Sequence, residues 1–102
     1  NTMALQITNN AGIFEINGDL NAQNVFSLNN HFEALLESTK IITLSLNKLI
    51  DIDTTAVSAI ASLYRKAMSN NKVFYIIGQE NQRINDRFQT EKLSYILRRD
   101  VL

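Results

Sequence analysis

Cysteine is absent from the 102 residues. That excludes a disulfide framework and a thiolate zinc site, and it fits a reducing compartment. Proline is absent as well, as expected of a compact unit without Pro-rich linkers. With only three glycines there is no glycine-rich loop to cradle a phosphate. Neither sign of charge is in excess, since ten Lys and Arg balance ten Asp and Glu. The chain therefore projects no long-range field toward nucleic acid or an anionic membrane. No apolar run approaches the length of a transmembrane helix, and the N-terminus lacks the basic-then-apolar pattern of a secretion signal. These absences predict a cytoplasmic protein with no nucleic-acid partner and no membrane insertion. Met3 reads as the natural start, with Asn1 and Thr2 as a tag remnant.

A hydrophobic fraction of 45% and a charged fraction of 20% are those of an ordinary globular protein. The length predicts one domain over residues 1–102. A chain of this size buries roughly 65% of its unfolded surface, enough for one modest core.

Hydrophobic periodicity divides the chain. Ala4 to Thr8 and Ile13 to Asn17 alternate as short strands around the turn signal Asn9–Gly12, which predicts a hairpin ended by Gly18. From Asn21 to Ser38, Val25, Leu28, Phe32, Leu35 and Leu36 fall at helical spacing, with Asn21 as N-cap. Lys40 to Leu46 is β-branched and apolar, the mark of an interior strand. Val57, Ile60, Ala61, Tyr64, Ala67 and Met68 form a second helical stripe, and Lys72 to Gly78 another strand. Asn81 to Gln89 predicts a third helix, with Ile84 and Phe88 on one face; Leu93 to Leu97 is apolar without a clear period. The order β-β-α-β-α-β-α predicts an α/β fold: a mixed sheet of four to five strands, an initial hairpin, and helices mainly on one face.

The densest chemistry lies where an apolar strand-like run becomes helical, in "LIDIDTTAVSAI", Leu49 to Ile60. Asp53 is placed to cap the second helix by accepting from the N–H of Thr55 or Ala56. Thr54 and Thr55 then occupy its first turn, at an end of the sheet where open α/β folds build sites. The plain alternative is that both threonines only complete a helix start. Asp51 and Asp53, two residues apart in what reads as a loop, could in principle do acid–base work, but no nucleophile or cofactor cradle accompanies them. The only histidine, His31, lies on a polar flank far from any Ser-His-Asp or metal-ligand pattern and reads as a surface residue. The expectation is a protein that is not an enzyme and uses no metal or cofactor. The basic stretches "RKAMSNNK" and "LRRD" are too small for nucleic-acid binding; Arg65 and Lys66 could rim a partner site. Tyr64 and Tyr75 are expected to pack with their hydroxyls in water.

The stretch Ile52–Val57 resembles the signature of STAS domains, the fold of bacterial anti-sigma factor antagonists. In that pattern a central strand passes through an apolar-Asp-hydroxyl turn into a helix. The resemblance extends to "INGDLNAQNV" (Ile16 to Val25, with Gly18 and Leu20 in register), "IITLSLNKLIDID", "NKVFYIIG" and "INDRFQTEKLSYIL", and so covers nearly the whole chain. Against the family pattern, threonines stand for the commoner serines and Ala56 for the usual glycine. Asn21 and Ser45 stand where many members carry aspartates.

The resemblance implies a phosphoprotein acting in transcription regulation. Thr54 would be the phosphate acceptor, with Thr55 second in line. The implied partners are a serine/threonine-kinase-type anti-sigma factor, contacted at its ATP-binding domain, and a phosphatase that resets the switch. Asp19, Asn21, Asp51, Asp53, Thr55 and Ser58 would form the partner-binding surface. A phosphate on Thr54 would sit at a helix N-terminus, where the dipole favours anions, so the expected change is one of surface electrostatics rather than refolding. Some small STAS proteins resemble this chain equally and serve as non-catalytic subunits docking on lipid-transport ATPase complexes; the sequence leaves both roles open.

Overall fold

The computed structural model describes residues 5–98. The suggested tag remnant Asn1–Thr2 and the end of "LRRD" lie outside them.

β1 (Gln6–Asn10) and β2 (Ile13–Leu20) form an antiparallel hairpin in which Ile7 faces Ile16. Its two-residue loop has φ of 55° at Ala11 and 87° at Gly12. Positive φ at both positions matches the twist of the flanking strands. Asn9 fastens the loop by accepting from the N–H of Gly12 at 3.1 Å.

β3 (Ile41–Ser45) lies parallel to β2, β5 (Val73–Ile77) parallel to β3, and the two-residue β6 (Leu97–Arg98) parallel to β5. The spatial order is β1-β2-β3-β5-β6, and a sixth strand, β4 (Leu49–Ile52), pairs with the far end of β2. The mixed sheet with an initial hairpin is as expected, extended by the short β4 and β6. The aperiodic segment after the third helix resolves into a single 3-10 turn (Ser94–Ile96) followed by β6.

Three helices, α1 (Val25–Ser38), α2 (Thr54–Ser69) and α3 (Gln82–Thr90), return the chain between parallel strands. The strand alternation turns Ile16 and Leu20 of β2, Ile42 and Leu44 of β3, and Phe74 and Ile76 of β5 toward them. These residues form one continuous core with Leu28, Phe32 and Leu36 of α1, Val57, Ile60 and Ala61 of α2, and Ile84 and Phe88 of α3. Phe32 sits at its centre, edge-on to Phe14 at a centroid distance of 5.4 Å and tilted against Phe74 at 6.2 Å. β3 is buried from Ile42 to Ser45, as an interior strand must be, although its first residue, Ile41, is exposed.

Four expectations are corrected. Gly18 does not end β2: at φ 103° it makes a register shift in a strand that continues to Leu20. Glycine there supplies the bend of a bulge rather than a break. Asn21 is not the N-cap of α1. Its Oδ1 accepts from the N–H groups of Gln23 and Asn24 at 2.9 and 3.2 Å, which forms a turn that delays the helix to Val25 behind Asn24. Asp51 is not in a loop but in β4. Met68 is exposed and Tyr64 only half-buried, because α2 packs on the sheet through Ala56, Leu63 and Ala67 beside the Val57–Ile60–Ala61 stripe.

Candidate functional site

β2 and β4 run parallel with Asp19 beside Asp51 and Leu20 beside Ile52. The ladder ends where the N–H of Asp53 donates to the carbonyl of Leu20 at 3.1 Å. There Asp53 leaves the sheet and caps α2: its Oδ1 accepts from the N–H of Ala56 at 2.9 Å, one of the two partners expected. Its Oδ2 accepts from the N–H of Ala22 at 3.1 Å, tying the turn before α1 to the start of α2. That turn is itself rigid. Asn24 accepts from the N–H of Asn21 at 2.9 Å and donates to the carbonyl of Asp19 at 2.7 Å. A single carboxylate thus joins two segments distant in sequence.

Asp19, Asn21, Asp51 and Asp53 line one shallow depression with Leu20, Ile52 and Arg87. It encloses ≈ 150 Å³, well short of the roughly 300–1,000 Å³ of small-molecule sites. Among the described residues no group of His, Cys, Asp and Glu converges as a metal cage. Thr54, Thr55 and Ser58 are exposed on the first two turns of α2 beside the depression. Every proposed site residue is therefore brought to one end of the sheet.

Three features were missed from the sequence. First, the Oγ1 of Thr54 donates to the Oε2 of Glu91 at 3.0 Å, so the hydroxyl is held by the end of α3. Second, α3 supplies cations to the acidic cluster: Arg83 approaches Asp51 at 3.7 Å, and Arg87 lines both the depression and an adjoining one with Asp51, Arg83, Asp86 and Thr90. The helical spacing of Arg83, Arg87 and Glu91 was the available signal, since such residues share a face. Third, Phe26, in the first turn of α1, is 71% exposed. Its signal was an aromatic standing outside the apolar stripe of its own helix.

Other residues fall elsewhere. Lys66 pairs with Glu33 of α1 at 3.0 Å and does not reach the site. His31 is exposed, with its ring edge-on to Phe32 at 5.1 Å. No helix of the described residues is long and apolar enough to cross a membrane.

The sequence model of the STAS domain matches residues 2–98. Among solved structures, the anti-sigma factor antagonist SpoIIAA in its unphosphorylated form is similar at a TM-score of 0.73 and 14% identity, over 96% of this chain and 89% of that one. An anti-sigma factor antagonist from Mycobacterium paratuberculosis is similar at a TM-score of 0.63 and 13% identity, over 87% and 80% of the two chains. No curated protein matches at a significant level of sequence similarity.

Proposed function

The chain belongs to the STAS domain family, and on that premise we propose that it is a bacterial, cytoplasmic signalling module of the anti-sigma factor antagonist type. Its partner is a serine/threonine-kinase-type anti-sigma factor, and its switch is phosphorylation of Thr54. The supporting observation is that Thr54 is exposed at the first position of α2, directly after a capping carboxylate, where the family resemblance puts the phosphate acceptor.

In the transfer, Oγ1 of Thr54 bonds to the γ-phosphorus of the kinase's ATP. The hydroxyl proton passes to a base of the kinase and ADP departs. The product carries about −1.5 to −2 charge next to Asp51, Asp53 and Glu91. A partner surface shaped for a neutral hydroxyl then meets bulk, repulsion and desolvation cost. The helix itself tolerates the anion, because its N-terminal N–H groups and dipole favour negative charge. In the unmodified form the exposed Phe26 at the start of α1 serves as an apolar anchor, the kind of aromatic that dominates binding energy at the centre of an interface. A phosphatase returns the chain to its binding form. The chain contributes a surface and an acceptor, and no catalysis.

The test is a pair of measurements on the same proteins. Thr54→Ala should unfold at the wild-type temperature and still bind the kinase. Thr54→Glu should also unfold normally but bind at least about tenfold more weakly, a loss of about 1.4 kcal/mol. Wild-type affinity for Thr54→Glu, together with kinase-transferred phosphate on Thr55, Ser58 or nowhere, would sink the switch. The chain would then be a constitutive docking subunit, of the kind that sits on lipid-transport ATPase complexes.

A further inference from the structure

We propose that α3 is the internal reader of Thr54: Glu91 holds the free hydroxyl, and Arg87 takes its place when the residue carries phosphate. The inference rests on the proposed Thr54 switch and adds to it a mechanism within this chain.

In the unmodified protein the Thr54 hydroxyl donates to the Glu91 carboxylate at 3.0 Å. A hydrogen bond to an ionised acceptor is among the stronger ones. It depends on the hydroxyl proton, and that proton is lost when Oγ1 becomes a phosphate ester. The dianion that replaces it has only acceptors to offer, and so has Glu91. The two repel, and the contact must open. Only the side chain of Glu91 has to move: its backbone, the C-cap of α3, stays tied to the helix by its N–H donating to the carbonyl of Arg87 at 3.1 Å.

One helical turn earlier, on the same face, stands Arg87. It is half-buried and lines the depression that contains Asp53, the residue before Thr54. Among the described residues it makes no ion pair. Arg83 is already engaged with Asp51 at 3.7 Å. Lys92 is also without an ion pair but is exposed and does not line the depression, whereas Arg87 does, and its planar fork matches phosphate oxygens. Phosphorylation exchanges one α3 partner for another, Glu91 out and Arg87 in, and alters the surface formed by the α3 terminus as well as the charge on α2.

The experiment installs phosphothreonine at position 54 of the full chain during synthesis, so no kinase is needed, and follows the second ionisation of the phosphate by ³¹P NMR. The charges around it are Asp19, Asp51, Asp53 and Glu91 against Arg83, Arg87, Lys92 and the α2 N-terminus. Removing a close opposite charge raises the pKa of an acid by about one unit, and removing a like charge lowers it. Arg87→Gln should therefore raise the phosphate ionisation by about one unit. Glu91→Gln should lower it, and Arg83→Gln should move it less than Arg87→Gln. Arg87→Lys should restore most of the wild-type value, which separates charge from any loss of packing.

An unmoved titration in Arg87→Gln, or a larger shift in Arg83→Gln, overturns the proposal. The two readings fail separately. If the cognate kinase modifies another residue, the Thr54 switch falls while the ³¹P shifts stand. If it modifies Thr54 and Arg87→Gln is silent, the reader alone falls.

Discussion

The starts of α2 and α3 use the same capping device to opposite ends. α3 begins behind Asn81, whose Oδ1 accepts from the N–H of Ile84 at 3.4 Å. The amide nitrogen of Asn81 points at the carbonyls of Leu46, Asn47 and Leu49 at 3.3, 3.0 and 2.8 Å. α2 begins behind Asp53, a carboxylate that can only accept, and it takes the N–H groups of Ala56 and Ala22. An amide caps a helix and also satisfies the carbonyls between β3 and β4, so Asn81 is committed to structure. The carboxylate satisfies donors alone and leaves the next residues, Thr54 and Thr55, facing solvent. The difference is one of donor inventory: the first cap is a fastening, the second a platform.

The comparison can be broken by substitution. The largest effect is expected beneath the platform, where Ile60 is fully buried. Ile60→Ala should cost about 2–5 kcal/mol in urea unfolding, and a loss within the surface range would show that α2 does not rest on the core through this face. Asn81→Ala takes this donor from the part-buried carbonyls of Asn47 and Leu49 and should cost about 1–3 kcal/mol. Asn81→Asp keeps the cap acceptor but turns a carboxylate toward those carbonyls, so it should be no more stable than the alanine variant. If Asn81→Asp recovers wild-type stability, Asn81 is only a cap and the contrast with Asp53 disappears. Asp53→Ala should cost about 0.5–2 kcal/mol, measured the same way. Smallest of all, Thr54→Ala and Phe26→Ala should each stay within about 0.5 kcal/mol of wild type. Kinase binding should follow a different order, with Phe26→Ala clearly weakened and Thr54→Ala intact.

Legibility followed periodicity. Val25, Leu28, Phe32 and Leu36, and later Ile84 and Phe88, repeat at helical spacing and are buried as expected. Asp53 was readable as a cap because its preference is local, set by N–H groups within one turn. β4 was less readable: Leu49–Ile52 is four residues long, too short for a period, and is a strand only because β2 lies alongside. Gly18 misled for a related reason. Its positive φ is a local property, but whether that ends a strand or bends it depends on the neighbour across the ladder.

Some of this protein is therefore decided by composition and short-range spacing. The helix faces, the β-branched apolar run that becomes β3, the hairpin turn and the capped threonine at the start of α2 are all signalled by residues within a short span. The rest is tertiary. The pairing of β2 with β4 sets Asp19 beside Asp51, and the path of α3 brings Glu91 to Thr54 and Arg83 to Asp51. These contacts join residues more than thirty positions apart, and a long-range charge or hydroxyl pair carries no periodicity of its own. Only the packing of Ile84 and Phe88 into the core fixes which face of α3 meets the start of α2, and with it which side chains stand around Thr54.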